Sequence, residues 1–263
     1  MSDDNLYEKF ILTKNYDLIR YLIIFSVLLV RVKRGMANNH KTKTLIEDAY
    51  RRIKGMIFEQ RLVPGQKLVY QDLVNLLNMS QTPIINALNR LEQEGFVVSE
   101  TFRGFCVKPI DMDEVWENFG VREALEVYAV KQAIQVAGPE DMRILDEKRR
   151  EHGSYMPDQY TRKKFLLDSE FHLQIATMAK NSVLRYLLKR NLEHIYLRAR
   201  LDDYDPRRMA SSSREHGELA ERMKRKDILG SIELIQNHIQ VARDHVIRCL
   251  SDQNSDEREY GYS

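Results

Sequence analysis

Residues 70–95 read YQDLVNLLNMSQTPIINALNRLEQEG, and the fold turns on how this stretch is broken. Leu73, Val74, Leu76 and Leu77 make an apolar face of one short helix. Asn78-Met79 interrupts it. Ser80 has the side chain of an N-cap, and Pro83 falls in the first turn of a second helix, where its missing N–H is harmless. Ile84, Ala87, Leu88 and Leu91 carry that helix to about Glu94, and Gly95 stops it.

Upstream, Leu45, Ile46, Ala49, Ile53, Met56 and Ile57 recur at helical spacing and predict a helix over residues 44–60, closed by Leu62-Val63-Pro64-Gly65. Downstream, Phe96-Val97-Val98 and Phe105-Cys106-Val107 flank Thr101-Phe102-Arg103-Gly104 as a hairpin. Helix, helix, short turn, helix, hairpin is the order of a winged helix-turn-helix, which lays its third helix in the DNA major groove. Residues 36–109 carry ten basic against seven acidic side chains, a net of +3 that supports this weakly. A small helical domain that binds protein fits the pattern as well.

The whole chain of 263 residues is long enough for two domains and, with 43% hydrophobic residues, for a sizeable core. Its two cysteines exclude a disulfide scaffold or a thiolate-rich zinc module and suit a reducing cytoplasm. The net charge of +2 leaves any nucleic-acid site to a local patch. The apolar run Tyr21–Val30 has ten residues, whereas a spanning helix needs about 20. Residues 1–35 are read as an extension from a mis-chosen start, with Met36 as the true one; a membrane tether follows only if they are translated.

The module resembles the DNA-binding domain of GntR-type bacterial regulators through Leu62-Val63-Pro64-Gly65, Leu73–Leu77, Met79–Leu88, Leu91-Glu92 and Glu94-Gly95. Gln81 stands where the family usually has Arg, and Ile85-Asn86 where it has Arg-Glu. The resemblance therefore implies an altered operator, weaker affinity, or both, since lost phosphate contacts weaken binding and Gln prefers adenine where Arg prefers guanine. Ser80, Gln81, Thr82 and Asn86 are the expected contacts from the helix start. Arg103 and Gly104 serve from the wing, and Lys67, Lys41 and Lys43 are candidate phosphate partners.

Residues 110–252 read as helices throughout. Asp113 is the expected cap of a long first helix, and further patterns fit 140–152, 160–180, 183–201, 206–226 and 228–250. The expectation is a mainly α protein: an N-terminal winged helix-turn-helix, an antiparallel all-α bundle of about six helices, and a disordered tail over 253–263. Asp168 and His172 stand at i and i+4 and share a helix face. With His216 and His238 from two further helices they could surround one divalent cation. Spacing alone favours the plainer reading, in which they are unrelated surface or core residues.

Val121–Glu126, Asp168 with Phe171-His172, Asn181, Glu215-His216 and His238 resemble the FCD effector domain of FadR-type regulators. That resemblance implies a metal held by Asp168, His172, His216 and His238, with Zn²⁺ the first expectation and Ni²⁺ or Mn²⁺ open. It also implies an effector cavity faced by Arg122, whose guanidinium suits a carboxylate; an ion pair with Glu126 at i+4 is the plainer reading. Asn181, Arg198 and Arg200 are weaker pocket candidates. Trp116 and Phe119 are assigned to the core or a dimer interface, and His194 and His245 are given no role.

The reading that joins these parts is a homodimeric, cytoplasmic, ligand-responsive repressor that binds a double-stranded operator and a small carboxylate, without membrane association and without catalysis. Its rivals are a metal-dependent hydrolase and a regulator with degenerate DNA binding that acts through protein contacts. No general base stands at a recognisable spacing such as that of HExxH, which weighs against the hydrolase.

Overall fold

The computed structural model describes residues 44–100, 104–198 and 206–259, with the side chains of residues 198, 206 and 252–259 excluded. The expectations for residues 1–35, Lys41, Lys43, Arg103, Arg200 and the side chain of Arg198 lie outside the described residues. The chain divides into two compact units: residues up to Ile53 with Val69–Leu91, and Lys54–Leu68 with Glu92 onward.

In the first unit, helix α1 spans residues 44–58 and contributes its first part. Helices α2 (Tyr70–Leu77) and α3 (Gln81–Gln93) complete it. Ala49, Tyr50 and Ile53 bury their side chains, as do Leu73 and Leu77 of α2 and Ile84, Ala87, Leu88 and Leu91 of α3. These are the positions that helical spacing marks as apolar, and their burial is the main term holding so small a unit together. The break between α2 and α3 has a backbone cause: Asn78 adopts a left-handed conformation (φ 52°), which Asn tolerates better than most residues. Arg90 of α3 places its guanidinium carbon over the Tyr50 ring, 3.6 Å from the centroid, and bonds Glu47 at 2.6 Å.

The second unit holds a three-stranded antiparallel sheet in the order β1-β3-β2 and six long helices. Strands β2 (Val97–Glu100) and β3 (Gly104–Val107) are the expected hairpin. Strand β1 (Lys67–Leu68) is an addition that a two-residue segment cannot announce in sequence. Gly95, at φ +77°, has His194 so close that a Cβ would stand 3.3 Å from its ring, so both backbone and space favour glycine there.

The helices are α4 (Met112–Val136), α5 (Pro139–Ser154), α6 (Arg162–Met178), α7 (Ser182–Arg198), α8 (Pro206–Lys224) and α9 (Ile228–Glu259). Helix α4 packs on α6, α7, α8 and α9, α5 on α6 and α8, and α8 on α9. Two details differ from expectation. The cap of α4 is Asp111, whose side chain accepts from Asp113 N and Glu114 N, because only the residue before the first turn can reach those amides. Helix α9 runs to Glu259, through most of the segment expected to be disordered; the first Gly or Pro after Leu250 is Gly261, so no breaker stands in its way. Among the described residues, no helix is long and apolar enough to cross a membrane.

Candidate metal centre and effector cavity

Each helix brings its polar residues to the centre on an otherwise apolar seam. In α4 the seam runs Val115, Phe119, Arg122, Glu126, Ala129, Ala133, all buried. In α8, Arg208, Ser212, Glu215 and His216 share one stripe, and in α9 His238 lies between Ile235 and Ala242. Thr161 caps α6 by accepting from Lys164 N at 3.2 Å, and Asp168 and His172 follow on one face.

The ligand atoms of Asp168, His172, His216 and His238 all lie within 4.8 Å of one another. His172 Nε2 and His216 Nε2 each stand 3.6 Å from an Asp168 carboxylate oxygen. Two ligands about 2.1 Å from one ion at the tetrahedral angle stand about 3.4 Å apart, so this spacing suits a shared cation. His216 is 1% exposed, and neither of its ring nitrogens has a hydrogen-bond partner among the described residues. Two orphaned imidazole nitrogens in an interior are costly unless an acceptor of their lone pair is supplied. The residues present fit a divalent metal.

Carboxylates orient two of the imidazoles from behind. Glu126 Oε2 meets His172 Nδ1 at 2.6 Å, and Glu215 Oε2 meets His238 Nδ1 at 2.5 Å. This fixes the tautomer in which Nε2 faces the centre, the arrangement common behind metal-bound histidines. Burial, with the nearby His and Arg charges, lowers the pKa of His216 and keeps its ring neutral. Burial also lowers that of His238, against the pull of Glu215. For Asp168, burial pushes the pKa up but is outweighed by His172, His152, Arg122 and His238, so the group stays ionised. Lowered pKa values at His216 and His238 and an ionised Asp168 favour the protonation states that metal ligation requires.

Arg122 is ion-paired and lines a cavity at the same time. Its Nε donates to Glu126 Oε1 at 2.6 Å, but the pair is buried rather than solvated, and Arg122 also lines a cavity. Its Nη2 stands 3.0 Å from His172 Nε2. A cation can take that lone pair only in place of the guanidinium. The cavity lies beside Asp168 and His238 and opens to solvent, with about 460 Å³ of empty space counted together with that opening. A larger one of about 650 Å³ near Pro64 and Val107 has Lys108 as its only charged lining residue and lies away from this chemistry.

Asn181 is a correction. It does not line the cavity beside Asp168; it caps α7, its Oδ1 accepting from Leu184 N at 3.0 Å, because a short amide next to a helix start satisfies that orphan donor. Three groups escaped the sequence reading. Arg208 lines the cavity, is 7% exposed and bonds Glu215 at 3.0 Å. Ser212 Oγ reaches Asp168 at 3.4 Å. His152 of α5 places Nε2 at 3.5 Å from Asp168 and Nδ1 at 3.4 Å from Ser213. The polar interruptions of the α4 and α8 seams could have flagged Arg208 and Glu126. Nothing in the charged run around His152 could. His194 stacks on Phe96 and His245 lies beside Cys249, so neither joins the cluster. Phe119 is core, whereas Trp116 is 53% exposed under Arg243.

On the DNA-binding side, Ser80, Gln81, Thr82 and Asn86 are all exposed, with Asn86 Nδ2 bonded to Thr82 O at 2.9 Å. Lys67 is exposed in β1, and Gly104, at φ +86°, opens β3.

The family model of the bacterial regulatory proteins of the gntR family matches residues 45–107, and that of the FCD domain matches residues 117–241. The chain carries a GntR-type helix-turn-helix domain followed by an FCD domain. It is 24% identical over 208 residues to the HTH-type transcriptional regulator YdhC of Bacillus subtilis, covering 77% of this chain and 91% of that one. It is 28% identical over 156 residues to the Nta operon transcriptional regulator of Aminobacter aminovorans, covering 58% and 72%. The solved structure of E. coli McbR/YncC superposes with a TM-score of 0.63 at 21% identity, over 80% of this chain and 98% of that one. These domains and relatives are those of a transcriptional regulator, not of an enzyme, and the hydrolase rival is set aside. A GntR helix-turn-helix implies DNA binding, and an FCD domain is an effector-binding domain.

Proposed function

We propose that this GntR/FCD regulator is a cytoplasmic, homodimeric repressor that senses a small carboxylate through a metal-loaded helical domain. Residues 36–109 form the DNA-binding domain and 110–252 the receptor. The observation that carries the reading is the convergence of Asp168, His172, His216 and His238 from three helices, with neither ring nitrogen of His216 hydrogen-bonded among the described residues. These four hold the metal, with zinc preferred and nickel or manganese as alternatives. A metal held there would supply Lewis acidity toward a carboxylate oxygen. Arg122, whose Nη2 stands 3.0 Å from His172 Nε2, would direct a second oxygen of the acid. Metal and acid thus favour one another.

Ser80, Gln81, Thr82 and Asn86 meet the base edges and flanking phosphates. Gly104 and Arg103 serve from the wing, and Lys67 holds a phosphate. Two copies read two half-sites whose spacing the dimer sets. The acid changes DNA affinity only by as much as it prefers one arrangement of the helices to another. The test is metal analysis with native mass spectrometry of the purified chain, followed by gel shifts on the DNA upstream of its own gene. One divalent ion per chain, a dimer and a shift relieved by a carboxylate are the expected results. Metal-free protein after loading with zinc would overturn the receptor half. Absence of any sequence preference would favour the degenerate-binding alternative, for which the exposed Gln81 and half-buried Ile85 speak.

A further inference from the structure

Helix α3 has a single basic residue, Arg90, and its guanidinium is already engaged, over the Tyr50 ring of α1 and bonded to Glu47 at 2.6 Å. Ile84, Ala87, Leu88 and Leu91 mark the buried side of the helix. At about 100° per residue, Thr82, Asn86 and Asn89 fall within about 60° of one another on the opposite side. All three are exposed. Half-buried Ile85 and exposed Gln81 lie along one flank of that stripe. The outer surface of α3 therefore offers amides, a hydroxyl and an aliphatic edge, and no formal charge. Asn86 Nδ2 donates back to Thr82 O at 2.9 Å, which leaves its Oδ1 and one N–H for a partner. Such groups are unequal before the base pairs. In the major groove adenine shows a donor beside an acceptor, the complement of a carboxamide, and thymine shows a methyl. Guanine shows two acceptors, which suit a cationic fork; a carboxamide oxygen set against its O6 stands acceptor to acceptor.

We infer that α3 selects A·T base pairs: Gln81, Asn86 and Asn89 read adenines, Ile85 packs against thymine methyls, and guanine is refused. From Thr82 to Asn89 the helix rises about 10 Å, so the selected core is about three consecutive base pairs long. The inference rests on the reading above that the start of α3 meets base edges. It narrows that reading to a base composition and adds Asn89, which escaped the sequence reading.

The test selects binders of the purified full chain, at fixed salt, from duplexes randomised over roughly 20 base pairs, enough for two half-sites one helical turn apart. Half-sites with an all-A·T core are enriched, and one G·C pair placed in that core lowers affinity about tenfold in a competition gel shift. An inosine·cytosine pair at the same place separates base reading from DNA shape, because it shows the guanine edge in the major groove and keeps the minor groove of A·T. It lowers affinity as much as G·C does; full affinity for it overturns the inference in favour of shape. Asn89→Ala, an exposed change that favours the helix, removes the A·T preference at one position of the core, and Asn89→Arg moves that position to guanine. An unchanged preference at every position in both variants overturns the inference. A core enriched in guanine overturns it too and leaves α3 a reader of bases. No enrichment of any sequence overturns the inference together with the reading it rests on, and favours the degenerate-binding alternative.

Discussion

At the start of α3, Ser80, Gln81, Thr82 and Asn86 stand exposed, bonded to little beyond their own helix. Around Asp168 the side chains of five helices are interred, and most are held by a named partner at 2.5–3.6 Å. The two places teach different lessons about binding. An exposed contact costs the free protein nothing, is worth what its charge and hydrogen bonds bring in water, and is screened by salt. A buried polar cluster is expensive unless complete, so its chemistry is nearly dictated by what is missing from it. Here the missing parts are a cation for His216 and an acceptor for Arg208 Nε.

That contrast predicts a hierarchy of effects. The largest belongs to His216→Ala, which should abolish stoichiometric metal retention; metal analysis after dialysis reads it, and unchanged stoichiometry would break the contrast at its centre. Next comes Lys164, which is fully buried with Nζ donating to His152 O at 2.7 Å. Burial lowers its pKa to about 8, while Asp168 pulls the other way. The unfolded chain therefore holds more protons between about pH 8 and 10.5, and stability should rise with pH across that window by up to about 3 kcal/mol. In Lys164→Met this component should vanish from denaturant curves taken at stepped pH. Glu126→Gln keeps the shape behind His172 but removes the charge, and metal affinity should fall about 10–100-fold in a chelator competition.

Smaller effects sharpen the exposed side. Asn181→Ala should cost about 1 kcal/mol of unfolding free energy and leave metal content untouched, as expected of a helix cap outside the cavity. Gln81→Arg should raise DNA affinity a few-fold at low salt and steepen the log–log salt slope by about one. An unchanged slope would mean that this position does not meet phosphate or base.

Much of the winged module was legible because its signals are local. Asn78, Pro83 and Gly95 punctuate the chain where the backbone turns, and the apolar positions of α2 and α3 are the buried ones. What escaped there was short: β1 has two residues and no period to read. In the helical domain, helix order and the Asp168–His172 face were equally local. The errors lay at ends, where Asp111 rather than Asp113 caps α4 and α9 continues past Leu250.

Residue types and their helical phase, read from the chain alone, established a mainly α protein and a D-x-x-x-H pair on one face, because both depend on neighbours within about one turn. Tertiary packing alone decided that His216 and His238 meet that pair, that Arg208 rather than Asn181 lines the cavity, and that His152 reaches Asp168. Those approaches join residues 16 to 70 apart in the chain and on different helices, and no local periodicity encodes the angle at which one helix crosses another.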